Sequence, residues 1–190
     1  MIEKNSYVSV DEYGFVTGYI VTGVESPLNY IPAPEIVENS MEFFTENYYL
    51  ENGVWKHLGK TPQYYKIDRV NKVFVPDVEE LKRTKWLEIK QARQNEINSG
   101  LYFNGNIYDI NPKSQTNISL IAQLAQNMPE NWTTSWVLKN NTSVELTRLE
   151  VLQLNLAVAE KLNQLYQKSQ RLRELIDSYS TIEQLLTINW

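Results

Sequence analysis

The stretch Leu101–Gln115, "LYFNGNIYDINPKSQ", decides how this chain is read. Two aromatic-rich runs flank a glycine, an Asp, a Ser and several Asn lie close together, and the run stops at Asn-Pro. Taken as chemistry, it suggests a small reactive site. Taken as architecture, it is a hairpin that turns into a helix, and the pattern favours this second reading. With Gly105-Asn106 as a two-residue loop, Asn104 faces Ile107, Phe103 faces Tyr108, Tyr102 faces Asp109 and Leu101 faces Ile110. That register puts Leu101, Phe103, Tyr108 and Ile110 on one apolar face and leaves Tyr102 and Asp109 on a polar one. Asn111 is then the N-cap of the next helix, Pro112 its first residue and Ser114 its N3 position.

Working outward, the rhythm is helical on both sides. Upstream, Asp77 and Glu80 have capping-box spacing, and Leu81, Trp86, Ile89, Ala92 and Ile97 make an apolar stripe that ends at Gly100. Glu79/Arg83 and Lys85/Glu88 are read as ion pairs on the solvated face of that helix. Downstream, a helix from Pro112 to about Met128 carries Ile118, Ile121, Ala122 and Ala125, and Pro129 ends it. A second hairpin, near 132–146, turns at Asn140-Asn141 and aligns Trp132, Thr134, Trp136 and Leu138 with Val144 and Leu146.

Thr147 and Glu150 form another capping box and open the longest helix, about Arg148 to Tyr179. Its first half is apolar over a wide arc that includes Leu149, Leu152, Leu156 and Ala159. Its second half narrows to Val158, Leu162, Leu165, Ser169, Leu172, Ile176 and Tyr179 at 4-3 spacing, the seam of a coiled coil or of a helix lying along one partner. Ser180 and Glu183 are the expected start of a last short helix.

Before Pro76 the period is that of strands. "SYVSV" and "GFVTGYIV" flank a turn at Asp11–Gly14, Asn52-Gly53 closes one hairpin, and "YYKIDRVNKVFVP" turns near Asp68–Lys72. The proline-bearing stretch 24–40 is expected to be an extended crossover. The fold class is therefore α+β, with a β-rich module over 1–76 and a mainly helical domain with two hairpins over 77–190.

Composition narrows the function classes. A net charge of −5 lacks the basic excess that nucleic-acid binding requires. There is no Cys and one His, His57, so thiol chemistry, a His/Cys zinc site and a Ser-His-Asp triad lack their parts. The glycines do not form a phosphate-binding loop. Neither a signal core nor an apolar run of spanning length is present. Neighbouring carboxylates such as Glu79/Glu80 and Glu145/Glu150 fit first-turn, strand-face and cap positions. No catalytic residue, cofactor or metal ligand is expected. Twelve Tyr and five Trp are the compositional excess, and they serve cores and interfaces alike.

Laid out in order, Trp86-x-x-Ile89-Lys90-x-x-Arg93, "FNGNIYDINPKSQTNI", "WVLKNNTSVELT", the long helix with Tyr166 and Arg171, and the closing "TIEQLLTIN" resemble the C-terminal domain of tailed-phage tail-fibre and tail-assembly proteins. The resemblance covers about Leu81 to Trp190. Its motif positions are Trp86, Ile89, Arg93, Phe103, Gly105, Tyr108, Asp109, Asn111 and Ser114. Asn111 stands where the family has Asp, and both are good N-caps. More loosely, the first half is similar to short β modules that precede this domain. The resemblance implies a phage tail context and no enzymatic activity, and leaves open whether the protein stays in the virion; the leading expectation is a structural or adaptor protein of the tail-fibre or baseplate region, made in the host cytoplasm and kept in the virion. A fibre-assembly chaperone absent from the finished particle is the alternative, and a glycan-binding module using exposed Tyr and Trp is a third. The expected partners are other tail proteins, or a second copy joined through Leu162, Leu165, Leu172, Ile176 and Tyr179, with no membrane insertion.

Overall fold

The computed structural model describes residues 5–22, 29–33 and 41–190. It is α+β and divides into two compact units, Met1–Glu80 and Leu81–Trp190.

In the first unit, β1 (Asn5–Val10) pairs antiparallel with β2 (Val16–Thr22) and with β3 (Ile31–Pro32). A short helix, α1 (Glu42–Thr45), precedes the hairpin β4 (Tyr48–Glu51) and β5 (Val54–His57), followed by β6 (Tyr65–Asp68) and β7 (Val73–Pro76). The β4–β5 turn is Asn52-Gly53, with φ of 52° and 76°. That pair of left-handed residues suits a hairpin because its twist matches the strands. Val8, Val16 and Phe43 form the core, with Tyr48 and Trp55 packed against it. The expected crossover over 24–40 lies mostly outside the described residues, apart from the two-residue strand β3 and its neighbours.

In the second unit, α2 (Val78–Ser99) leads through Gly100 into β8 (Leu101–Phe103) and β9 (Asn106–Tyr108). Gly100 has φ +89°, and a Cβ there would lie 2.7 Å from the Tyr108 carbonyl oxygen, so only glycine both turns the chain and lets the hairpin close. Helix α3 (Pro112–Gln126), strands β10 (Thr133–Val137) and β11 (Ser143–Thr147), the long α4 (Arg148–Ser178) and α5 (Ile182–Leu186) follow. The caps are the expected ones at two starts. Asn111 accepts from the Ser114 N–H at 3.0 Å. Thr147 and Glu150 exchange bonds at 2.9 and 3.3 Å. At α5 the cap is Thr181, which accepts from Gln184 at 3.3 Å, and not Ser180.

The opening hairpin is displaced from its expected register. Its loop is Asn104-Gly105, with φ of 45° and 82°, and Phe103 faces Asn106, Tyr102 faces Ile107 and Leu101 faces Tyr108. Moving the loop back by one residue changes every partner but keeps odd residues opposite even ones, so the faces survive. Tyr108 and Ile110 are fully buried, and Leu101 and Phe103 pack on the core. Tyr102 and Ile107 are now direct partners on the outer face, 73% and 47% exposed, and Asp109, expected opposite Tyr102, lies beyond the end of β9.

The core gathers Ile97, Tyr108, Ile110, Ile118, Ala122, Ala125, Leu138 and Leu146 with Val151, Leu154, Val158 and Leu165 of α4. Trp132 and Trp136 pack against it from β10 and its approach, as their alternation requires. Lys85 departs from its expected solvated place. It is 8% exposed, and its ammonium pairs with Glu88 at 3.0 Å and donates to the Ile188 carbonyl at 3.3 Å. A long apolar stem lets a lysine lie along a core face while its head finds an acceptor.

Candidate interaction surface

The expected seam of α4 is turned inward. Leu165 and Ile176 are 3% and 1% exposed, Leu162 packs on the core, and Leu172 and Tyr179 are half-buried. The 4-3 spacing therefore marks a helix packed within its own chain, and these side chains are not free to hold a second copy. Cationic groups on aromatic rings tie this half of α4 to α2. The Arg173 guanidinium lies 4.7 Å from the Trp86 ring centroid, and that of Arg93 lies 4.7 Å from the Tyr166 ring. At the end of the described chain, Trp190 donates its indole N–H to Glu96 at 2.6 Å, and the Lys168 ammonium sits 4.3 Å from its ring. Glu96 also pairs with Lys161 at 2.9 Å. The hydrogen bond from Lys161, then that from Trp190, holds the Glu96 carboxyl below its ordinary range.

The motif positions are brought into one unit, but in scaffold roles. Ile89 is buried, and Trp86 is half-buried between Arg173 and Lys90. Phe103 meets Tyr108 edge-on at 6.0 Å. Gly105 makes the turn, Asn111 caps the Ser114 amide, and Asp109 pairs with Lys139 at 3.2 Å. Lys139, Glu96 and Trp190 carry no signal in the sequence, because each works through a residue a whole element away, whereas Lys85 pairs with Glu88 as its spacing predicts and only its burial against the Ile188 carbonyl is new. His57 is exposed and stacks on Tyr48 at 5.0 Å. Among the described residues no three His, Cys, Asp or Glu side chains are grouped to hold a metal, and no helix is long and apolar enough to cross a membrane.

Among the apolar side chains left outward are four leucines of α3 and α4. Helices α3 and α4 lie side by side, antiparallel. Arg148 donates through Nε to the Ala125 carbonyl at 2.8 Å, and the Ser119 and Asn155 side chains meet at 3.3 Å. Each exposed leucine stands two residues from a buried one, ~200° round the helix and so on the opposite side. On α3, Leu120 and Leu124 oppose Ile118 and Ala122; on α4, Leu149 and Leu156 oppose Val151 and Leu154. These four are 58%, 44%, 62% and 59% exposed. The wide apolar arc expected at the start of α4 thus belongs to two faces, one in the core and one in solvent. Single exposed leucines are ordinary, and four on the outer sides of two adjacent helices are a candidate contact surface.

No curated protein and no solved structure matches the chain. Residues 80–188, more than half of its length, match a family described as a domain of unknown function, DUF4376, and the chain belongs to that family.

Proposed function

We propose that this protein is a non-enzymatic structural or adaptor component of a phage tail, resident in the fibre or baseplate region and acting by protein–protein contact. The observation that carries this reading is the exposed leucine surface of α3 and α4, with Leu120, Leu124, Leu149 and Leu156 turned from a core that is already filled. Burying one such side chain against a partner contributes about 1.5–3 kcal/mol, so four give a contact of useful strength after the cost of association. The motif order from Trp86 to the closing "TIEQLLTIN" supports the tail context. The aromatic rings nearest the first hairpin, Tyr48 and Trp55, pack on the core of their own unit, which leaves the sugar-stacking alternative less surface.

Quantitative mass spectrometry of purified particles tests the proposal. The protein is expected in the virion at a fixed ratio to other tail proteins. Absence from the particle, with fibre yield falling when the gene is removed, would replace it with an assembly chaperone.

A further inference from the structure

Strand β10 is paired on one side only. Leu138 donates to the Thr142 carbonyl at 2.8 Å and Arg148 to that of Trp132 at 3.0 Å. These bonds fix the parity of the ladder, in which Thr134 and Trp136 turn their N–H and C=O groups to β11. Thr133, Ser135 and Val137 therefore turn theirs away from β11, and their side chains are exposed as well. Two residues beyond the strand, the same outward direction is used. The Lys139 N–H donates to the Ile107 carbonyl at 3.0 Å. The two hairpins form no further ladder from that bond. A cleft of about 390 Å³ opens instead between β10 and the start of α3, lined by Ser135, Val137, Asn111, Lys113, Ser114 and Asn117.

We propose that the outer edge of β10 is a strand-addition site for an extended segment of a partner protein. Outward donors and acceptors at a two-residue period are matched by an extended backbone and by no other regular conformation. Natural edge strands are commonly blunted by Lys, Pro or a bulge. Here the edge residues are Thr, Ser and Val, which favour pairing. An added strand would place alternate side chains in the cleft beside Lys113 and Asn117, which suits acidic or amide residues because the one carboxylate lining the cleft, Asp109, is already paired with Lys139 at 3.2 Å. Its other side chains would lie beside Thr133, Ser135 and Val137, which suits β-branched ones. A second copy is the poorer occupant, because its own β10 would carry another α3 N-terminus and another Lys113 into the same space. This inference supplies a mode of contact for the role proposed above and rests on that reading only for the source of the segment.

The test uses the full chain, labelled with ¹⁵N, and peptides selected on it from a random displayed decapeptide library. Without peptide, the amides of Thr133, Ser135 and Val137 are expected to exchange quickly and those of Thr134, Trp136 and Leu138 slowly. A synthetic copy of an enriched peptide should protect the first three. Ser135→Pro removes an N–H that the β11 ladder does not use, and should weaken binding about tenfold or more at unchanged melting temperature. Should that variant fail to fold, Lys113→Glu must still weaken an acidic peptide. Peptides that leave the three amides unprotected, or that bind both variants as well as the parent, overturn the proposal. Protection that grows with protein concentration alone assigns the edge to a second copy and overturns the occupant. Neither result depends on whether the protein is found in virions, so the two readings fail separately.

Discussion

The backbone N–H of Lys139 donates to the carbonyl of Ile107 at 3.0 Å, and so binds the turn of the second hairpin to the first. The same lysine donates its ammonium to the Asn98 carbonyl at 2.6 Å and to Asp109 at 3.2 Å. Lys139→Met keeps the stem and the backbone bond but loses both ammonium contacts. The ammonium is partly exposed, so the expected loss is modest, about 1 kcal/mol. Urea unfolding followed by tryptophan fluorescence measures it, since Trp86, Trp132, Trp136 and Trp190 all lie in the second unit.

Gly100 and Gly105 separate two costs that glycine usually combines. Both have positive φ, +89° and +82°. Around Gly105 a Cβ would meet nothing within 4 Å, whereas at Gly100 it would lie 2.7 Å from one backbone oxygen and 2.9 Å from the Ile107 Cγ2. Gly105→Ala should therefore cost only the left-handed backbone term, about 1–2 kcal/mol. Gly100→Ala adds the displacement of the hairpin and should cost clearly more. Equal losses in parallel unfolding curves would refute the steric account.

Tyr108 is fully buried, and its hydroxyl has no hydrogen-bond partner of normal geometry, the one side chain approaching it as a hydrogen-bond partner being that of Asn106. A buried, unbonded hydroxyl is a cost that phenylalanine does not carry. Tyr108→Phe is expected to leave stability within ~0.5 kcal/mol of the parent or to raise it by ~1 kcal/mol. A loss of more than about 1 kcal/mol would mean that the hydroxyl is bonded in solution.

Acid should loosen the first unit through Glu51. This carboxylate takes a hydrogen bond from Lys56 at 2.7 Å and another from Lys72, and the two ammonium groups pull its pKa from 4.5 to about 2. A pKa depressed by folding means stabilisation that is complete above the ordinary value and is lost as pH falls toward the folded one. The wild-type melting temperature should thus fall between about pH 4.5 and 2, and Glu51→Gln should flatten that part of the profile. Two-dimensional NMR of first-unit amides assigns the effect to the right unit, because Glu96 gives the second unit a dependence of the same sign.

Features set by a few neighbouring residues were legible in the sequence, and those set across the fold were not. Asn111 with Ser114 and Thr147 with Glu150 are three residues apart, so their caps follow from local spacing alone. The expected loop of the opening hairpin lies one residue late, although the Asn-Gly rule that holds at Asn52-Gly53 also holds at Asn104-Gly105. Leu149 and Leu156 could not be told from Leu152 and Leu154, because a leucine-rich helix start offers two apolar faces and only the arrangement of neighbours selects one. The 4-3 seam correctly marked burial at Leu165 and Ile176, but spacing does not say whose surface covers it. The Lys85–Glu88 pair follows from its i, i+3 spacing, but the burial of Lys85 does not, since its second acceptor is the distant carbonyl of Ile188.

The central claim is that the outer face of α3 and α4 binds another tail component. It is tested most directly by the amount of this protein in purified particles grown with the wild-type gene and with Leu149→Gln/Leu156→Gln. Both side chains point away from the core, so the variant should fold with an unchanged melting temperature. Wild-type protein is expected in the particle and the folded variant at about a tenth of its level or less, a loss of ~1.4 kcal/mol in binding. Equal amounts of wild type and variant, or no wild-type protein in the particle, would contradict the account.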